Sequence, residues 1–231
     1  MFPKFCGIIA CQKNSFIDYP GTVSAVLFFG GCNLRCPFCH NPQIVRNELP
    51  AIDFEEIRQF LIKRKKSIDG VVLSGGEPTL NPYLPEIIEE LRSSGFLIKL
   101  DTNGLNPDIV KKCKPDYLAM DLKTVPQRYP ELGCHTGDFE VRLLTTIDIV
   151  KQMGAAAEIR IPVSSFFVNR IVVEEIGGIL RGVDKVFLQP LKTHTELLDI
   201  SFSEEPIQRS LLESYCDIIG KNVRVCSIRG I

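Results

Sequence analysis

The strongest constraint on this chain is an alternation. From residue 22 almost to its end, short apolar runs of β character trade places with segments of helical period. The spacing predicts strands at 22–29, 70–74, 96–101, 116–122, 155–163, 184–189 and 222–226. Helices are expected between them at 53–66, 83–94, 107–112, 139–153, 169–180 and 203–219. The strand runs are rich in Val, Ile, Leu and Phe, as in a parallel sheet covered on both faces. Asp53, with Glu56 three residues on, predicts a capping box for the first helix. Gly95, Gly154, Gly182 and Gly220 stand where left-handed helix caps are wanted. Residues 5–12 read as an extra edge strand. With no repeat or linker, the expectation is one domain over 1–231, its core at about 20–190 and a C-terminal helix and strand at about 203–228. A chain of 231 residues falls short of the ~250 of a full eight-fold barrel. The fold class expected is therefore α/β, a partial (β/α)6 TIM-like barrel.

Charge narrows the partners. Lys and Arg number 27 against 28 Asp and Glu, a net charge of −1. This gives no electrostatic reason to expect nucleic acid or an anionic membrane. The one basic run, Lys63-Arg64-Lys65-Lys66, suits the solvated C-terminal end of a helix. The uncharged stretch 19–34 contains Pro20 and three glycines, and it is shorter than the ~20 residues that span a bilayer. The N-terminal residues lack a basic-then-apolar signal, so a cytoplasmic chain is expected. Nine cysteines are many for a compartment where structural disulfides are rare, so some are expected to be metal ligands or redox groups.

Three of the nine gather after the first strand of the alternation, in Gly30-Gly31-Cys32-Asn33-Leu34-Arg35-Cys36-Pro37-Phe38-Cys39-His40. On a helix the C-x3-C-x2-C offsets would mark one buried stripe. Two preceding glycines and Pro37 argue for a loop instead. Close thiolates need a cation to offset their repulsion. Zinc would take Cys32, Cys36, Cys39 and His40 as a closed site. A 4Fe-4S cluster would take the three cysteines and leave one iron without a protein ligand. Cys6, Cys11, Cys113, Cys134, Cys216 and Cys226 form no C-x2-C pair and read as small apolar residues.

The cysteine loop, with aromatic Phe38 before its last thiol, resembles the signature of radical S-adenosylmethionine enzymes. Ser74-Gly75-Gly76-Glu77-Pro78 is similar to that family's Gly-Gly-Glu-Pro motif. Asp18-Tyr19-Pro20-Gly21, Cys39-His40-Asn41-Pro42, Asp101-Thr102-Asn103-Gly104 and Asp121-Leu122-Lys123 resemble activating enzymes of glycyl-radical proteins, above all that of anaerobic ribonucleoside-triphosphate reductase. The resemblance runs from about residue 7 to 190. It implies a 4Fe-4S cluster on Cys32, Cys36 and Cys39, and S-adenosylmethionine chelated to the open iron. One electron from reduced flavodoxin or ferredoxin would cleave the cofactor to a 5′-deoxyadenosyl radical. That radical would take a hydrogen atom from a glycine of a partner enzyme. Pyruvate formate-lyase or a small molecule such as a purine precursor would be alternative substrates, and a non-catalytic zinc module the alternative of another class.

Roles follow for single residues. By the resemblance, Phe38 lies against the adenine, with its backbone more important than its ring. His40 is expected to orient the loop or to contact the cofactor through its backbone rather than to bind metal. Gly75 and Gly76 let backbone approach a ligand closely, and Glu77 would accept from the cofactor's ammonium. In a related type of activating enzyme, positions matching Asp101, Thr102 and Asp121 hold a monovalent cation; Asp101 serves equally as a turn cap with Asn103-Gly104. Lys123 and Arg160 would meet a carboxylate. Gly75 to Glu77, Asp101 to Asn103, Asp121 to Lys123, Arg160 and Gln189 all fall at or near expected strand ends, the rim where α/β folds bind ligands. His135 and His194 are expected to face solvent.

Overall fold

A computed structural model describes residues 3–191 and 196–230, which leaves the expectation for His194 outside the described residues. Eight strands follow one another in chain order: β1 (Ile8–Ser15), β2 (Ser24–Phe29), β3 (Gly70–Gly75), β4 (Leu97–Thr102), β5 (Tyr117–Asp121), β6 (Ala157–Val163), β7 (Lys185–Pro190) and β8 (Val225–Ile228). The helices between them are α1 (Pro42–Val45), α2 (Phe54–Lys63), α3 (Leu84–Ser93), α4 (Pro107–Cys113), α5 (Phe139–Met153), α6 (Arg170–Ile179) and α7 (Arg209–Gly220). The described residues group into two compact units. One comprises 3–33, 41–102 and 108–117; the other comprises 34–40, 103–107, 118–191 and 196–230.

In the first unit β1 is antiparallel to β2, as befits the extra edge strand, although it begins three residues later than expected. Strands β2, β3 and β4 are parallel, with Val26 opposite Val72 and Val71 opposite Ile98. Their apolar runs are sealed: Ala25, Leu27, Val71, Val72, Leu73, Ile98 and Leu100 are all buried. Removing each large side chain from water contributes about 1.5–3 kcal/mol. Ile87, Ile88 and Leu91 put one face of α3 into this core at the spacing that a 3.6-residue turn requires. Asp53 caps α2 by accepting from the Glu55 N–H at 3.0 Å. The basic run leaves the end of that helix, as expected, with Lys65 donating to the Gly95 carbonyl.

In the second unit β5, β6, β7 and β8 are parallel. Met120, Ile159, Ile161, Val186 and Leu188 are buried beneath α5, α6 and α7 residues such as Leu143, Ile147, Ile176 and Ile219. Asn169 caps α6 through the Val172 N–H. Three expectations move here. Helix α7 starts at Arg209 rather than 203, because Glu204 is drawn to the loop after β6 and Gln208 is extended. Gly220 is the last helical residue of α7, whereas Gly95 and Gly182 take positive φ; Gly154 caps α5 at φ +53° and ψ −120°, outside the left-handed helical region expected. No helix among the described residues is long and apolar enough to cross a membrane.

Candidate active site

The first unit brings the two glycine pairs together. Gly30 and Gly31 follow β2; Gly75 ends β3 and Gly76 follows it. Gly76 N–H donates to Phe29 O at 2.9 Å and Glu77 N–H donates to Gly31 O at 2.9 Å. A Cβ on Gly76 would lie 1.9 Å from Gly31 O, and one on Gly75, whose φ is +120°, would lie 2.4 Å from Phe29 N. No side chain fits at either place. The chain's own backbone, just ahead of Cys32, approaches these glycines closely. Cys32 itself is half-buried in the coil after β2.

Glu77 is also committed locally. Its Oε1 accepts from Thr79 N–H at 3.1 Å, Thr79 Oγ1 at 2.5 Å and Thr102 Oγ1 at 2.8 Å. It is buried and acts as N-cap of the short 3-10 turn Pro78–Leu80. Asp101, one residue from the end of β4, accepts from Ser74 Oγ at 3.1 Å and pairs with the buried Lys99 ammonium. The turn-capping role falls instead to Asn103, whose Oδ1 accepts from Leu105 N–H at 3.1 Å.

In the second unit Cys36-Pro37-Phe38-Cys39 forms a tight turn, closed by Cys39 N–H donating to Cys36 O at 3.0 Å. Proline at its second position presets the φ that such a turn needs. Arg35 N–H fixes the entry to the turn by donating to Leu132 O at 2.7 Å. The Phe38 ring is buried edge-on against Phe167, centroids 5.4 Å apart, with Phe202 at 6.1 Å. The ring is thus part of an aromatic core.

Asp121, last in β5, lies opposite Arg160 in the register with β6. Its Oδ1 accepts from Arg160 Nε at 2.6 Å and its Oδ2 from Lys123 Nζ at 2.9 Å. Burial alone would raise the Asp121 pKa, but the two cations hold it well below the usual carboxylate range. Burial would likewise lower the Lys123 ammonium; Asp121 and the nearby Cys36 raise it instead. Arg160 sits mid-strand, not at the strand end, and its long side chain closes the pairing with Asp121. Gln189 is half-buried near the end of β7, and His40 is half-buried after the cysteine turn. Asp101 faces the Lys99 ammonium, and Asp121 faces Arg160 and Lys123. His135 is exposed, as expected.

A family model described as the Radical SAM superfamily matches residues 26–168. The chain belongs to the radical SAM superfamily. Among its curated relatives is MJ1227 of Methanocaldococcus jannaschii, named as a glycyl-radical enzyme activating enzyme. The two are 31% identical over 206 residues, 84% of this chain and 83% of that one. The pyruvate formate-lyase-activating enzyme of Clostridium pasteurianum is 30% identical over 203 residues, 80% of this chain and 82% of that one. A 7-carboxy-7-deazaguanine synthase of Methanopyrus kandleri is 29% identical over 194 residues, 74% of this chain and 75% of that one. The radical SAM enzyme HemN of Escherichia coli shares the fold at 11% identity, with a TM-score of 0.57 over 89% of this chain and 54% of its own. The radical SAM fold thus bears out the expected partial barrel of parallel strands, and the family implies a 4Fe-4S cluster and S-adenosylmethionine.

Thr79 and Lys99 in the first unit, and Tyr129 and Phe202 in the second, contact the motif residues Glu77, Asp101, Lys123 and Phe38 but were not singled out by sequence. Lys99 carried a usable signal: a lysine two residues before Asp101 in an otherwise apolar strand shares its face. Tyr129 carried none; its buried hydroxyl accepts from Lys123 N–H at 3.2 Å only because a seven-residue 3-10 segment, Pro126–Leu132, turns back there. Cys6, Cys113 and Cys134 are buried, as expected of small apolar residues, while Cys11, Cys216 and Cys226 are only half-buried.

Proposed function

We propose that this radical SAM enzyme activates a glycyl-radical enzyme, and that its partner is anaerobic ribonucleoside-triphosphate reductase. The observation that supports this is likeness across four-fifths of the chain to two activating enzymes. The donor chemistry of the loop fits a cluster. Three thiols sit in non-helical backbone, two of them on one proline turn, with the Lys123 cation near Cys36. Cys32, Cys36 and Cys39 would hold the 4Fe-4S cluster. When bound, the cluster supplies one electron, received from reduced flavodoxin or ferredoxin, to cleave S-adenosylmethionine and so start hydrogen-atom removal from a glycine.

The remaining residues bind and orient. Backbone groups of Phe38, Cys39 and His40 would line the adenine side, with Gly75, Gly76 and Glu77 fixing the strand end beside Cys32. Arg160 and Lys123, balanced by Asp121, would present a partly compensated cation pair to a carboxylate of the cofactor or of the partner's loop. Asn103 and Gln189 would add polar contacts to the nucleoside. The chemistry belongs to the cofactor; the chain supplies position and shelter from water.

Protein isolated without oxygen is expected to be brown, with about four irons and four sulfides per chain. Reduced and given S-adenosylmethionine, it should release 5′-deoxyadenosine, and Cys36→Ala should abolish the release. A glycyl-radical signal on anaerobic ribonucleotide reductase, absent from pyruvate formate-lyase, is the result expected. Turnover of a purine precursor with neither enzyme activated would favour the second reading, which the likeness to a deazaguanine synthase supports.

A further inference from the structure

The segment at 197–204 lies beyond residues 26–168, where the family model matches, yet it is fastened at three points, two on the cysteine turn and one on the loop after β6. First, consecutive amides reach the turn: Leu198 N–H donates to Cys39 O at 2.9 Å, and Asp199 N–H donates to Pro37 O at 3.1 Å. Second, Phe202 places its ring against Phe38, centroids 6.1 Å apart, and against Phe166 at 5.3 Å. A small turn makes that placement possible: Phe202 N–H donates to Asp199 O at 3.1 Å, and Asp199 Oδ1 accepts from Ser201 N–H at 2.9 Å and Oγ at 2.6 Å. Third, Glu204 Oε2 accepts from Ser164 Oγ at 2.7 Å, Ser165 N–H at 3.1 Å and Ser165 Oγ at 3.2 Å, in the loop after β6.

A C-x2-C turn on its own has few ways to hold its shape, since one internal hydrogen bond closes it. The strap occupies the Pro37 and Cys39 carbonyls and buttresses the one large side chain between the thiols. We infer that residues 197–204 form a positioning strap for the cysteine turn, with Glu204 as its latch, so that this C-terminal segment sets how well the Cys36–Cys39 backbone receives S-adenosylmethionine. The inference rests on the reading of Cys36 and Cys39 as cluster ligands. Glu204 and Phe202 act through the turn and touch no reacting atom.

The test uses cluster-loaded full-length protein, with Glu204→Ala, Phe202→Ala and the milder Ser165→Ala. Ile200→Ser, at the exposed strap tip, is the control. Hydrogen exchange at the Leu198 and Asp199 amides should speed up about tenfold or more in Glu204→Ala and Phe202→Ala, less in Ser165→Ala, and remain unchanged in Ile200→Ser. Iron content should stay at the wild-type level. The KM for S-adenosylmethionine should rise about tenfold while kcat for its cleavage changes less than twofold. The amount of S-adenosylmethionine needed to perturb the electron paramagnetic resonance spectrum of the reduced cluster should rise in parallel. Unchanged amide exchange would overturn the strap; so would faster exchange with an unaltered KM. A wild-type chain that binds no iron would overturn the cluster reading instead, so the two failures are distinguishable.

Discussion

The ends of β3 and β4 and the end of β5 both carry carboxylates, and the two regions handle them in opposite ways. In the first, Glu77, Thr79, Lys99 and Thr102 are each at most 3% exposed, and Asp101 is 9% exposed. Glu77 is answered by neutral hydroxyl and amide donors, Asp101 by a lysine of its own strand. In the second, the Asp121 side chain is 26% exposed and is bracketed by two cations that also reach solvent. A sealed, internally satisfied group acts as scaffold, because any change leaves a buried polar atom without a partner. A half-open, charge-balanced group can exchange one partner for a ligand at small cost. The contrast marks the first region as scaffold and the second as a group able to trade one of its partners.

Lys99→Met should have the largest effect, because it strands the Asp101 carboxylate in the interior; a loss of about 3–5 kcal/mol is expected in urea melts. Adding Asp101→Leu should recover much of it, whereas full additivity would contradict the pairing. Gly76→Ala comes next. A methyl group 1.9 Å from Gly31 O must push the β2 and β3 loops apart, and about 2–3 kcal/mol of destabilisation with impaired iron loading should follow. Thr102→Val removes one of three donors to Glu77 and should cost about 1–2 kcal/mol.

Asp121→Asn should cost less at neutral pH than Lys99→Met, since its pairs are partly open to solvent. It differs in its pH dependence. The folded-state pKa of Asp121 is depressed, so its contribution is fully present above the unfolded value near ~4 and is lost as pH falls below that value. Acid melts of the wild type between about pH 4 and 2 should therefore be steeper than those of the variant. Equal slopes would mean that the bracketing cations do not act on Asp121, and the contrast between the regions would lose its electrostatic half. Activity should invert the ranking: Arg160→Met should raise the KM for S-adenosylmethionine more than Thr102→Val does.

Much of this was legible before any coordinates. Period-two and period-3.6 patterns located strands and helices because apolar side chains must leave water whatever their neighbours are. The proline in the cysteine segment ruled out a helix there, and the tight turn is its direct consequence. Errors gathered where a local signal lost to a distant partner. Ser203 looked like a helix start, but Glu204 finds three donors in the loop after β6. Asp101 looked like a turn cap with Asn103-Gly104, but it pairs with Lys99 and accepts from Ser74, 27 residues away.

The sequence by itself determined the order of elements, the loop that carries the thiols and the family to which the chain belongs. Those properties depend on residue type and spacing along one chain. Only the tertiary structure decided which charges cancel: that Asp121 meets Arg160 across a strand register, that the motif glycines make room for backbone, and that a C-terminal strap grips the cysteine turn. Hydrogen bonds and ion pairs act over about 3 Å, and separation along the chain carries no record of which groups folding brings within that reach.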